Sequence, residues 1–234
     1  MPRGKKKIGA GFWDREYKKP GHLALSLNPS EDMEKFLRYI ERESGRKLLN
    51  PTMHALDLGC GNGRNLIHLG KSYAMRGLGY DISSQAIAQA KDMSVGLNLT
   101  FEVRTIAGEI PLPDNSQAVV LDMMASHVLT HKEREDLHIE ILRVLRPGGW
   151  YYLKTFLLDE DRNAHRLLRD NPGKEAGSYI HPLIGVPEYV FSEEDIVALV
   201  EKNFTIHKVL KSHRHLVKGS PAKRRSISIY AQKD

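Results

Sequence analysis

Ala55-Leu56-Asp57-Leu58-Gly59-Cys60-Gly61-Asn62-Gly63-Arg64-Asn65 decides the fold. The run Met53–Leu58 predicts a short buried strand. Gly59-x-Gly61-x-Gly63 predicts a tight turn whose backbone a ligand can approach closely. Arg64–Ser72 predicts a helix with Leu66, Ile67 and Leu69 turned inward. About twenty residues on, Asp81 closes the next apolar run, where a carboxylate can accept hydrogen bonds from ribose hydroxyls.

Working outward, the same alternation repeats. Gly77–Asp81, Leu99–Thr105, Ala118–Asp122 and Trp150–Phe156 read as strands. Between them, Ser83–Met93 reads as a helix with Ser83 and Ser84 as candidate caps. A second helix runs over about 132–146, ended by Pro147-Gly148-Gly149. Strands separated by helices imply right-handed βαβ units and a parallel sheet. Upstream, Ser30 with Glu31, Asp32 and Glu34 starts a helix whose inner face is Met33, Phe36, Leu37 and Ile40. Residues 1–29 read as an irregular arm rich in Gly, Lys and Pro. After Phe156 comes an insertion, about 157–191, with a helix over 160–170. Ser192 opens a helix carrying Ile196, Leu199 and Val200. Strands near 204–211 and 225–231, joined by a basic loop, end the chain.

The 234 residues suit one α/β domain, a basic arm at 1–29 followed by a domain at 30–234. No run approaches 18 apolar residues, so no membrane-spanning helix is expected. Met1–Lys7 is basic but lacks an apolar region behind it, so no secretory signal is expected. One cysteine, Cys60, cannot form an internal disulfide and fits a reducing cytoplasm. The net charge is +6, but residues 1–29 carry +5 and residues 207–234 carry +7. The stretch between them is therefore acidic, and the basic character sits at the two ends.

A glycine-rich turn followed by an acid suits either a dinucleotide or S-adenosylmethionine (SAM). Asp57 helps to decide between them. It stands immediately before the glycines, where a pyrophosphate would be repelled. SAM has no phosphate and carries an ammonium and a sulfonium. The acid favours SAM.

The pattern resembles the class I SAM-dependent methyltransferases over roughly residues 30–156. Asp57-Leu-Gly-Cys-Gly-Asn-Gly63 matches their first motif, and Gly79-Tyr-Asp-Ile-Ser83 is similar to their second. Ile110-Pro-Leu-Pro-Asp-Asn-Ser116 and Glu140-Ile-Leu-Arg-Val-Leu-Arg-Pro-Gly-Gly149 resemble the segments before the fourth and fifth strands. Arg64-Asn65 is similar to the tellurite-resistance methyltransferases. Phe12-Trp13-Asp14-x-x-Tyr17 resembles an N-terminal arm of several small-molecule branches. The resemblance implies a doubly wound, mostly parallel seven-stranded sheet, Rossmann-like, with the arm and the insertion after the fifth strand. It implies SAM as cofactor. Asp57 would hold the methionine ammonium. Gly59, Gly61 and Gly63, with Cys60 and Asn65, would form the loop beneath the methionine and ribose. Asp81 would bind the ribose, Ile82 would pack on the adenine, and Ile106 and Ala107 would meet its edge. Asp122 and Met123 would touch the methionine end. Ile106 stands where the family often has an acid for the adenine amine, so backbone groups would have to replace that contact.

Methyl transfer is an in-line displacement at a cationic sulfur, so the protein mainly supplies proximity and orientation. Some acceptors also need a general base. The loop Asp122-Met-Met-Ala-Ser-His127 lacks the Asn/Asp-Pro-Pro-Tyr/Phe signature of many amino-directed methyltransferases. His127 is the candidate base, since imidazole titrates near neutrality. His213 and His215 share a strand face, but no third ligand is evident and no metal is expected. The insertion is expected to form a lid, with Tyr179 and His181 facing the pocket. The class topology places residues 213–225 and the N-terminal arm on the cofactor side. There Arg15, Lys18, Lys19, Arg214, His215, Lys218, Lys223, Arg224 and Arg225 would form a positive rim. Such a rim attracts anions, so the expected acceptor is an anionic small molecule. An RNA- or ribosome-directed enzyme, gripping the phosphate backbone with these ends, is the alternative. A SAM-binding protein without transfer activity is a third reading.

Overall fold

The computed structural model describes residues 9–21, 25–212, 216–217, 220–221 and 224–234. The expected alternation is present. In chain order the helices are α1 (Ala10–Lys18), α2 (Glu31–Ser44), α3 (Arg64–Tyr73), α4 (Ser84–Met93), α5 (His131–Val144), α6 (Arg162–Asp170) and α7 (Glu193–Glu201). The core strands are β1 (His54–Leu58), β2 (Arg76–Asp81), β3 (Leu99–Val103), β4 (Gln117–Met123), β5 (Leu145–Phe156), β8 (Thr205–Lys211) and β11 (Ser226–Gln232). Two small hairpins complete the set, β6 (Ser178–Ile180) with β7 (Pro187–Tyr189), and β9 (Leu216–Val217) with β10 (Ser220–Pro221).

The core strands form one sheet in the order β3-β2-β1-β4-β5-β11-β8. β11 pairs antiparallel with both β5 and β8, and the other neighbours are parallel. The chain winds outward from β1 through β2 to β3, then returns to β4 and winds the other way. Right-handed crossovers therefore put α3 and α4 on one face and α5 and α7 on the other. The two apolar layers follow this division. Met33, Phe36, Leu37 and Ile40 of α2 join Leu66, Leu69 and Ile87 on one face. Leu137, Ile141, Ile196 and Val200 line the other. Each such side chain, fully buried, contributes about 1.5–3 kcal/mol. Phe36 stacks on Tyr152 at 4.8 Å and fixes α2 to the middle of the sheet.

The reversal at β1 and β4 opens a crevice at the carboxyl edge, the place where ligands bind in such sheets. Local chemistry shapes this edge. Ser83 caps α4 by accepting from the Ala86 amide at 3.1 Å. Thr130 and Glu133 form a capping box on α5. Met124, just past β4, is held at φ 61°, a left-handed conformation that costs a non-glycine residue about 1–2 kcal/mol.

Two expectations are corrected. The arm is not wholly irregular, because Ala10–Lys18 is helical and packs beside α4. Pro147-Gly148-Gly149 does not end the preceding helix. α5 stops at Val144, and β5 begins at Leu145 with a register shift against β4 that absorbs these residues. Among the described residues no helix is long and apolar enough to cross a membrane.

Candidate active site

The glycine turn after β1 and the loop after β4 face each other across the crevice. The Gly59 and Cys60 amides both donate to the Tyr80 carbonyl, at 2.8 and 2.9 Å, which ties the turn to β2. Gly61, at φ 56°, donates its amide to Asp81 Oδ2 at 2.9 Å. A Cβ on Gly59 would collide with the Ala125 methyl, and one on Gly61 with the Tyr17 hydroxyl. Glycine is needed at both positions for close approach as well as for the turn. Gly63 packs instead on Phe101, under α3.

Asp57 is 1% exposed, and its Oδ2 has no hydrogen-bond partner among the described residues. Burial, with Asp81 adding like charge, pushes its carboxyl up to about 7. A buried carboxylate oxygen without a donor is costly. A cationic donor within hydrogen-bond reach of this oxygen would remove that cost. The ammonium of SAM is such a donor, so the residues fit this cofactor. Asp81, at the end of β2, accepts from the Gly61 and Ser83 amides and keeps further lone pairs for a ligand. Burial raises its carboxyl, against the lowering by those amides. Ile82 is half-buried, and Ile106 and Ala107 follow β3 at the same edge. Burial, with Asp57 and Asp81 beside it, pushes the Cys60 thiol well up, so it stays protonated and unreactive.

Three expected cofactor residues are engaged elsewhere. Asn65 accepts from the Ser30 amide at 3.1 Å and lies 3.3 Å from Met123 Sδ, which pins the start of α2 over β4. Asp122 is fully buried. One of its oxygens accepts from the Ser126 amide at 3.0 Å, the other from the Tyr151 hydroxyl at 3.3 Å. Both oxygens are thus held inside the protein, an arrangement that caps the turn after β4.

That turn, a single 3-10 turn over Ser126–Val128, carries His127. The ring is buried and edge-on to Phe156 at 5.0 Å. Its Nε2 lies 3.9 Å from Glu188 Oε1, while Nδ1 is buried without a hydrogen-bond partner among the described residues. Glu188, on β7, also accepts from the Tyr179 hydroxyl. Burial pushes its carboxyl upward, but His127 and Tyr179 outweigh this and leave it below the usual range. Arg224 donates to the Tyr179 hydroxyl at 2.7 Å and to Asp161 at 3.0 Å, and stacks on Phe156. Nothing in the sequence around Glu188 or Asp161 marked either residue.

These contacts correct two expectations. Tyr179 is fully buried within the insertion and does not line an open pocket. His181 accepts from the Leu183 and Ile184 amides at 3.2 Å and shapes their turn. Arg224 and Arg225 leave the expected rim, because Asp161 and Glu160 of the insertion hold them. Arg15, Lys18 and Lys19 are exposed on and just after α1. Lys5–Lys7, His213, Arg214, His215, Lys218 and Lys223 lie outside the described residues. Among those described, no cluster of three or more potential metal ligands occurs.

The arm closes the crevice from the other side. Asp14 accepts from the Ser83 and Ser84 hydroxyls and the Gln85 amide, at 2.8, 3.3 and 3.2 Å. Gln89 donates to the Tyr17 carbonyl at 2.7 Å. Burial, then the nearby Asp81 charge, raises the Tyr17 hydroxyl far above its ordinary range. Gly9 abuts Val186 of the insertion closely enough that a Cβ there would lie 3.1 Å from the valine. Arm and insertion therefore touch.

A family model described as a methyltransferase domain matches residues 55–149, the glycine turn to the start of β5. A solved SAM-dependent methyltransferase from Methanosarcina mazei shares the fold at TM-score 0.69. It is 23% identical and covers 88% of this chain and 98% of its own. Residues 55–149 thus match a methyltransferase domain, and the fold around them is that of the class I SAM-dependent methyltransferases. A second solved structure sharing the fold, from Listeria monocytogenes, is 18% identical at TM-score 0.64. Among relatives, the 27-O-demethylrifamycin SV methyltransferase of Amycolatopsis mediterranei is 33% identical over 63% of this chain and 50% of its own length. The fatty-acid O-methyltransferase of Mycolicibacterium smegmatis is 26% identical over 62% of this chain and 52% of its own. A phthiotriol/phenolphthiotriol dimycocerosates methyltransferase of Mycobacterium ulcerans is 28% identical over 88% and 71%. The chain spans about half the length of the first two.

Proposed function

We propose that this protein transfers a methyl group from SAM to a small organic acceptor, one of anionic character. The orphaned Oδ2 of Asp57 carries the reading, because it supplies a buried anionic seat beside the glycine turn. Asp57 holds the ammonium, and Asp81 takes the ribose hydroxyls. Gly59, Gly61 and Gly63 bring backbone close beneath the ligand. Ile82, Ile106 and Ala107 bound the adenine. Cys60, Asn65, Asp122 and Met123 brace the walls from behind. When bound, SAM supplies an electrophilic methyl group on a cationic sulfur. The chain's own task is to orient the acceptor and exclude water, for which α1 and the insertion, meeting at Gly9 and Val186, form a roof.

A small acceptor is supported by this roof and by the relatives, whose names are those of enzymes acting on a rifamycin, a fatty acid and a phthiotriol lipid. The anionic character now rests on Arg15, Lys18 and Lys19. The single cysteine supports a cytoplasmic location.

Calorimetry with SAM and Asp81→Ala tests the cofactor assignment. Loss of a charge-assisted hydrogen bond costs about 1.5–3 kcal/mol, so the folded variant should bind about 10–150-fold more weakly. Unchanged affinity refutes it. Methyl-labelled SAM with fractionated extract of the source cells tests the acceptor class. Label in nuclease-sensitive polymer rather than small molecules overturns the small-acceptor reading.

A further inference from the structure

We propose that Glu188 and His127 form a base dyad, and that the acceptor is therefore a hydroxyl compound that must lose a proton as it is methylated. This rests on the methyl-transfer reading above and adds the accepting group. His127 sits on the loop that follows β4 at the crevice, two residues beyond Ala125, whose methyl meets Gly59 of the cofactor turn. Glu188 reaches it from the insertion.

The charge arrangement suits a base rather than a packed ring. Glu188 is 4% exposed; the Tyr179 hydroxyl donates to it, His127 faces it, and the charge of His181 also acts on it. Asp122, from the strand carrying the His127 loop, is a second carboxyl acting on the ring. Arg224 is already paired with Asp161 and donates to the same Tyr179 hydroxyl that donates to Glu188. A positive charge on His127 would thus be held 3.9 Å from the Glu188 carboxylate. The ring's two nitrogens are also differentiated. Nε2 faces Glu188 at 3.9 Å, and Nδ1 is buried with no hydrogen-bond partner among the described residues. A proton on Nε2 points at the carboxylate and leaves the Nδ1 lone pair free to take another.

The step balances. The acceptor oxygen forms a bond to the methyl carbon as the carbon–sulfur bond breaks, its electron pair remaining on sulfur. The hydroxyl proton passes to His127 Nδ1, and the imidazolium, held against Glu188, later returns it to water. His127 touches the acceptor, whereas Glu188 is a positioning residue acting through it. Tyr179, Arg224 and Asp161 hold Glu188 in place in turn. A carboxylate acceptor, already ionised, would need no such base.

The test uses the full chain with ring-15N-labelled histidine. In the wild type, the ring-nitrogen spectrum of the neutral His127 ring should show the proton on Nε2 and none on Nδ1. In Glu188→Gln this preference should weaken while the backbone spectrum stays native, and Tyr179→Phe should give a smaller change of the same kind. A wild-type Nδ1–H form, or a tautomer unchanged in Glu188→Gln, overturns the dyad. Calorimetry with S-adenosylhomocysteine runs alongside. Wild type and Glu188→Gln should bind it equally, and failure of the wild type to bind it would instead count against the cofactor reading. With the acceptor found by the labelling experiment, Glu188→Gln should lower kcat about 10–100-fold at unchanged KM for SAM, within the range a general base contributes. Methylation of an acceptor without a hydroxyl, or an unchanged kcat, also overturns it.

Discussion

In its proposed role, Asp57 would serve binding at the expense of stability. Its carboxyl, near 3.8 when unfolded, is pushed up to about 7 by burial in the folded protein. Its contribution to stability is therefore present below about pH 4 and is lost as pH rises towards 7. Asp57→Asn removes the loss. The variant should melt above the wild type at pH 8, by about 2–4 °C for each kcal/mol gained, and the gap should close near pH 4. The same substitution should abolish tight SAM binding. For the wild type, SAM affinity measured by calorimetry should fall about tenfold per unit below pH 7, because the ammonium must displace one proton. At the same scale, Arg224 has changed its expected role. Arg224→Ala leaves Asp161, 1% exposed, without its ion partner. Breaking a buried pair costs about 3–5 kcal/mol, so urea unfolding should show a large loss of stability rather than a raised acceptor KM alone.

At the scale of elements, α1 is a short helix that owes its position to α4. It has no acid in its own first turn, and its Asp14 instead serves the first turn of α4. The carboxylate satisfies free donors there and complements the positive helix end. Asp14→Ala should cost about 1 kcal/mol, seen as a small drop in Tm. Amide exchange over residues 10–18 should speed up much more than elsewhere, since the arm has few other anchors. SAM should also dissociate faster, because Tyr17 rides on the same helix. Trp13 gives a fluorescence signal for that measurement.

For the molecule as a whole, charge is divided between an acidic middle and basic ends. Replacing Arg15, Lys18 and Lys19 by glutamine should slow arrival of an anionic acceptor and raise its KM at low salt. The difference should shrink as ionic strength rises, because these side chains are exposed and screened. SAM binding should be unaltered. An acceptor KM indifferent to these changes at low salt would remove the anionic proposal and leave the dyad untouched.

The sequence by itself determined the sheet and the glycine turn. Both are written in local signals: a strand running into Gly59 and Gly61, an acid at Asp57 and another at Asp81, and apolar periodicity that separates one face of the sheet from the other. Such signals are legible because each depends on neighbours within one βαβ unit. Arg64–Tyr73, for example, is helical because the spacing of Leu66, Ile67 and Leu69 requires one buried face. The tertiary structure alone decided what the polar residues between these units do. Asp122 has the sequence position of a ligand contact, yet its oxygens go to Ser126 and Tyr151. Arg224 has the look of a free basic tail, yet it meets Asp161, 63 residues away. Glu188 carries no local mark and gains meaning only where the insertion folds back onto His127. A charged side chain is defined by whichever partner crosses the sheet edge to meet it, and that partner is set by the packing of distant segments rather than by spacing along the chain.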